Sequence, residues 1–300
     1  MSTAAAARTA QSVLADERIV SADSHIMEPV DLWEKNLTPS LKDKFPKFPT
    51  RNTAGEKPGG WDPKARLGEM EVDGVSAEVL YPTLGLGLFG LDDAAMQEAC
   101  FRAYNDWLAE FCAAAPNRLL GVAMLPPTDP AAAAEEVYRL AREGRLRQAN
   151  LQIAWVKPRL HDAAWEPLWR AFEETGLILS FHVVVFGGGG SQLGVSAPEA
   201  GKPASIFAAT KLFMGQFLDP FVDLFAWGIL ERHPRLKLVM SEAGVGWLPW
   251  IVQELDQRFA RLYEARDYWA ERGGIPLTMQ PSELFRRQVW ASFQVDPVAL

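Results

Sequence analysis

The sequence predicts an α/β fold of the TIM-type (β/α)-barrel class, and three observations carry that prediction. Short apolar runs alternate with longer amphipathic stretches along most of the chain, which is how repeated βα units read. The 300 residues, 48% of them hydrophobic, suffice for one large core and suit a single barrel. Two long segments rich in Gly and Pro directly follow candidate strands, where barrel loops form.

In chain order the candidate strands are Arg18–His25, Ser76–Pro82, Leu119–Pro126, Ala149–Trp155, Leu177–Val184, Leu236–Glu242 and Gln288–Phe293. The candidate helices between them are Asp92–Cys112, Pro130–Glu143, Trp165–Thr175, Ser205–Arg232 and Trp247–Glu264. In the first, Met96, Cys100, Trp107, Leu108 and Phe111 recur at helical spacing, and Asp92 or Asp93 supplies a cap. A closed barrel has eight strands, so seven of eight are recognisable, the last ending close to Leu300. Residues 1–17 read as an N-terminal tail and 18–300 as one barrel domain. The segments 29–64 and 187–203 read as βα loops on the barrel face where active sites lie, in the position of lids.

The formal net charge is −8 and the pI about 5.2, which argues against nucleic acid and anionic membranes as partners. No apolar run reaches the roughly 18 residues needed to span a bilayer. Cys100 and Cys112 fall in one helical stretch, about 18 Å apart and beyond disulfide reach. A reduced, cytoplasmic chain is the expectation.

The chemistry concentrates at strand ends. The first strand finishes in Ser21-Ala22-Asp23-Ser24-His25, and residues i and i+2 of a strand share a face. Asp23 and His25 therefore project together. A carboxylate beside an imidazole suits Zn²⁺ or Mn²⁺, which accept both oxygen and nitrogen donors. The run Leu177–Val185 is apolar apart from Ser180 and His182, and it places a second imidazole at a strand's C-terminal end. Two strand ends presenting Asp23, His25 and His182 to one mouth read as a metal site. The four glycines at 187–190 make no phosphate loop, because Gly201-Lys202 is followed by Pro203. No nucleophile elbow of the G-x-S-x-G type is present.

Several longer motifs resemble the amidohydrolase superfamily, in its branch of aminocarboxymuconate semialdehyde and hydroxybenzoate decarboxylases. They are D-S-H-x-x-E-P at Asp23–Pro29, R-A-Y-N-D-W-L at Arg102–Leu108, G-V-A-M-L-P at Gly121–Pro126 and L-H-D at Leu160–Asp162. S-F-H at Ser180–His182, the segment Pro234–Trp250 and F-R-R-Q-V-W-A-S-F at Phe285–Phe293 complete the set. The resemblance implies a metal held by Asp23, His25, His182 and an aspartate after an eighth strand. No residue here matches that aspartate, so the chain resembles a C-terminally shortened member. Asp296, followed by Pro297, reads instead as a helix N-cap.

Where decarboxylases of the branch often carry a strand-6 histidine, this chain has Glu242, a candidate general acid or base once burial raises its pKa. His182 is expected to serve catalysis as well as metal binding. The two-metal members use a carbamylated lysine at the end of strand 4. That position offers none here, since Lys157 lies beyond the strand, so one metal is expected, Zn²⁺ first and Mn²⁺ second. Glu28 is a candidate substrate contact, with an Arg or Lys partner from 29–64 as the equal alternative. His161 reads as a helix-start residue and His233 as a structural one at the opposite end of the barrel.

The expected activity is metal-dependent hydrolysis or non-oxidative decarboxylation of a small carboxylated or cyclic substrate, aromatic ones included. The alternative is a catalytically inactive shortened relative that binds small molecules or assembles with another chain through unpaired edges of the first and last strands. The expected partners are a small-molecule substrate and a second copy of the chain in a homodimer.

Overall fold

The structure is a computed structural model and describes residues 18–45, 57–184, 203–272 and 277–298, with only the backbone described over 203–213. The tail expected at 1–17, the middle of the 29–64 segment and nearly all of 187–203 lie outside the described residues. Seven parallel strands curl into one sheet in sequence order: β1 (Ile19–His25), β2 (Val75–Tyr81), β3 (Leu119–Leu125), β4 (Gln148–Leu151), β5 (Ile178–His182), β6 (Lys237–Ser241) and β7 (Val289–Ala291). These are the seven strands the sequence predicts, β2 and β4 beginning one residue earlier and the others trimmed at their ends. Among the described residues β1 and β7 pair only on their inner sides, so the barrel stays open between them.

Helices cover the outside: α1 (Pro63–Asp73), α2 (Ala94–Cys112), α3 (Pro130–Glu143), α4 (Glu166–Thr175), α5 (Pro203–Ala226), α6 (Leu248–Glu264) and α7 (Pro281–Gln288). Local chemistry sets their limits. The carboxylates of Asp62, Asp93 and Asp129 accept from the Lys64, Met96 and Ala132 amides at the starts of α1, α2 and α3. Gly144, at φ 66°, ends α3 in the left-handed region. Their inner faces pack Trp165, Trp169, Phe101 and Phe172 against the sheet, all fully buried.

Four expectations shift. The 29–64 segment contains short helices at Leu32–Asn36 and Pro39–Lys42. The helix expected over 205–232 breaks at Gly228, whose φ of 65° starts a separate turn at Ile229–Arg232. β4 ends at Leu151 and passes into a 3₁₀ turn, Ile153–Trp155, that Gln152 caps. Asp296 caps no helix: its Oδ2 accepts from the Val245 and Gly246 amides, tying the segment after β7 to the loop after β6. No helix among the described residues is long and apolar enough to cross a membrane.

Candidate metal centre

The C-terminal ends of β1 and β5 bring Asp23, His25 and His182 together. One ligand atom from each lies within 4.8 Å of the others. The His25 and His182 rings stand edge to face, with centroids 5.1 Å apart. His182 Nε2 sits 3.4 Å from Asp23 Oδ1, and His25 Nε2 sits 3.9 Å from the same oxygen.

The backbone decides which atoms face inward. His25 Nδ1 lies 2.8 Å from the Pro82 carbonyl oxygen, and His182 Nδ1 lies 2.5 Å from the Val183 carbonyl oxygen. A carbonyl only accepts, so each Nδ1 carries a hydrogen, and in the neutral imidazole it is then Nε2 that offers the lone pair. Burial, with His182 beside it, pushes the His25 pKa below the ordinary imidazole value and favours that neutral form. Asp23 Oδ2 accepts from Ser292 Oγ at 3.1 Å, which leaves Oδ1 turned toward the rings.

With the imidazoles neutral, three lone-pair atoms therefore converge. Buried Asp23 Oδ1 and His182 Nε2 have no hydrogen-bond partner among the described residues. Their 3.4 Å approach counts as an ion-pair distance, but an acceptor facing an acceptor is repulsive unless a cation joins them. One carboxylate oxygen and two neutral imidazoles, each fixed from behind, form a donor set that fits a single divalent metal. His182 is buried, whereas the His25 side chain is 35% exposed, so the open approach lies on the His25 side.

Glu242 follows β6 at φ 54°, the one non-glycine residue of positive φ among those described. Its Oε2 lies 3.7 Å from His182 Nε2, and its Oε1 accepts from Gln294 Nε2. Burial raises its pKa, and nearby Asp23 adds to that while His182 opposes it.

Glu28 is held by the turn after β2. It is buried, and its two carboxylate oxygens accept from the backbone amides of Thr83, Leu84 and Gly85. It thus organises the turn after β2, and among the described residues of 29–64 no Arg or Lys pairs with it. His161 does not cap: Asp162 accepts from the Ala164 amide, while His161 Nδ1 pairs with Asp223 at 3.0 Å and stacks on Trp227. His233 is clamped between Glu173 and Glu166. At the strand-4 end, where two-metal members place lysine, Gln152 donates to the His182 carbonyl.

Sequence reasoning missed the groups beneath and beside the centre. The Tyr81 hydroxyl contacts Ser180, Ser241 and Gln148, and its ring lies 4.6 Å from that of His182. Arg66 donates to the His25 carbonyl at 2.9 Å while pairing with Glu78. Polar residues at alternate positions of otherwise apolar strands, Gln148/Asn150 and Ser180/His182, were the available signal.

A family model described as amidohydrolase matches residues 23–292. The chain belongs to the amidohydrolase family. It is 30% identical over 180 residues to the gamma-resorcylate decarboxylase of Rhodococcus jostii (strain RHA1), an overlap covering 57% of this chain and 53% of that relative. The chain spans about half the length of the curated relatives it matches. An amidohydrolase from Mycobacterium avium subsp. paratuberculosis K-10 superposes with a TM-score of 0.71 at 20% identity, over 93% of this chain and 84% of that one. The 5-carboxyvanillate decarboxylase of Novosphingobium aromaticivorans, solved with manganese, superposes with a TM-score of 0.66 at 18% identity, over 93% and 79%. Likeness at such identities speaks for the shared fold.

Proposed function

We propose that this amidohydrolase-family chain is a metal-dependent carboxy-lyase that removes CO₂ without oxidation from a small hydroxylated aromatic carboxylate. The observation that carries the reading is the convergence of Asp23 Oδ1, His25 Nε2 and His182 Nε2, two of them buried without partners. These three residues would hold the metal. The manganese bound in the Novosphingobium relative favours Mn²⁺ over the Zn²⁺ expected from the donor types alone. When bound, the metal supplies positive charge that holds substrate oxygens and stabilises negative charge on the ring.

The chain's own residues account for the rest. Glu242, its pKa raised by burial, is the group placed to deliver a proton beside the centre. As the bond from ring carbon to carboxylate breaks, CO₂ leaves and the ring carbon takes that proton. The Glu242 side chain is 20% exposed, so solvent can return a proton to it. Gln294 fixes one Glu242 oxygen and leaves the other toward His182. The names of the gamma-resorcylate relatives support decarboxylation over hydrolysis. A cytoplasmic homodimer belongs to the same reading; Cys100 and Cys112 are buried and free, and burial pushes their pKa up to about 12, which leaves them unreactive thiols.

The test is metal content followed by product analysis. Purified protein loaded with Mn²⁺ should hold about one ion per chain and release CO₂ from a panel of hydroxybenzoates. Absence of stoichiometric binding, or a hydrolytic product in place of CO₂, overturns the proposal.

A further inference from the structure

One oxygen atom touches both working groups of the site. Ser292, just past β7 and buried, donates from Oγ to Asp23 Oδ2 at 3.1 Å and accepts from the Glu242 amide at 2.9 Å. The directions are fixed, because an ionised carboxylate only accepts and an amide N–H only donates. The hydroxyl hydrogen is therefore committed to Asp23. Ser292 is itself anchored to the β6 side on both faces of its backbone. Its amide donates to the Met240 carbonyl at 2.9 Å, and its carbonyl accepts from the Ala243 amide at 3.2 Å.

Residues 292, 294 and 296 repeat the pattern at alternate positions. Ser292 reaches Asp23, Gln294 reaches Glu242, and Asp296 reaches the amides of Val245 and Gly246. Of these contacts Ser292–Asp23 reaches from the β7 side to β1, strands that share no ladder among the described residues, while those of Gln294 and Asp296 tie the segment after β7 to the loop after β6 beside the metal centre.

We propose that Ser292 is a positioning residue of the metal centre: by occupying Asp23 Oδ2 it fixes the carboxylate rotation that turns Oδ1 toward His25 and His182. Without that bond the Asp23 carboxylate is free to rotate about its terminal torsion, which is broad and roughly two-fold. The same oxygen braces the Glu242 amide, where the backbone has a positive φ. A contact made from behind a ligand typically changes metal affinity by about 10- to 100-fold.

The inference rests on the metal reading, and the experiment separates the two. Mn²⁺ titration of the metal-stripped protein, by calorimetry, is compared among unaltered chain, Ser292→Ala, Ser292→Thr and Ser292→Cys, alongside their metal-free melting temperatures. Ser292→Ala should bind Mn²⁺ roughly 10- to 100-fold more weakly. Ser292→Thr, which keeps the hydroxyl, should recover most of the affinity. If Ser292→Ala does not fold, Ser292→Cys carries the test, since its weak S–H donor should also lower affinity. Equal affinity in every folded variant lacking the hydroxyl overturns the role of Ser292, as does a lowered melting temperature with unchanged affinity. An unaltered chain that binds no Mn²⁺ overturns the metal reading itself.

Discussion

Two buried histidines stand at opposite ends of the sheet. His233 precedes β6, and its Nδ1 and Nε2 lie 3.0 and 2.9 Å from carboxylate oxygens of Glu173 and Glu166. Carboxylates only accept, so both ring nitrogens act as donors and every polar atom is satisfied. His182 ends β5, and only its Nδ1 is satisfied; its Nε2 faces Asp23 and Glu242 oxygens at 3.4 and 3.7 Å. Burial is nearly equal, with side chains 6% and 1% exposed. What separates the structural histidine from the candidate ligand is therefore a buried ring nitrogen without a hydrogen-bond partner among the described residues.

The sharpest way to break this contrast is to remove the atoms on each side of it. His182→Ala or Asp23→Ala should take Mn²⁺ content to background, an affinity loss exceeding the ~100-fold upper range of supporting contacts, with activity following. Metal analysis after dialysis reads this directly. Retention of stoichiometric metal by either variant would place the ion elsewhere.

Next in size is Glu242→Gln, expected to lower kcat by about 10²- to 10⁴-fold while Mn²⁺ affinity stays within a few-fold. The pH dependence has a defined sign. Burial raises the Glu242 pKa, and the protonated carboxyl is the form that delivers the proton. The rate of the unaltered chain should fall as pH rises through that raised value, and the glutamine variant should lose this alkaline decline. A variant with the same alkaline limb would assign the proton to another group.

Most of the fold was legible, because parallel barrel strands are buried on both faces and read as continuous apolar runs. Helix α7 was not, since Pro281–Gln288 carries only Leu284 and Phe285 as apolar residues. The three candidate ligands were legible for a different reason: Asp23 and His25 share a strand face, and His182 interrupts an apolar run. Ser292 escaped because its partner Asp23 lies 269 positions away, across an edge that no local pattern describes. Asp296 misled through its neighbour: Pro297 suggests a helix start, but the carboxylate is already taken by the 245–246 amides.

On the other side of the contrast, His233→Ala should lower stability and leave the metal alone. It removes one partner from Glu173 and Glu166, which keep the Arg235 amide and Arg232, so the loss falls below the ~3–5 kcal/mol of a fully broken buried pair. Glu166 is about one third exposed, so solvent screens its share and a loss nearer 2 kcal/mol is expected. Chemical denaturation of metal-free protein measures it. A change in Mn²⁺ affinity would deny that the two ends of the sheet are independent.

The smallest effect belongs to Tyr81→Phe, which sharpens where the metal centre stops. The Tyr81 hydroxyl is buried, its pKa raised by that burial, and it joins Gln148, Ser180 and Ser241 under the site. Deleting a buried hydroxyl strands its partners at about 1–3 kcal/mol, but two features lower the figure here. Ser180 and Ser241 already lie 3.4 Å apart and can bond each other, and Gln148 is only partly buried, so water can reach its amide. About 1 kcal/mol of stability is the expected loss. Phenylalanine keeps the ring beside His182, so Mn²⁺ affinity should match the unaltered chain. An affinity loss as large as that expected for Ser292→Ala would show that the floor of the barrel, and not only the residues bonded to the ligands, sets the geometry of the ion.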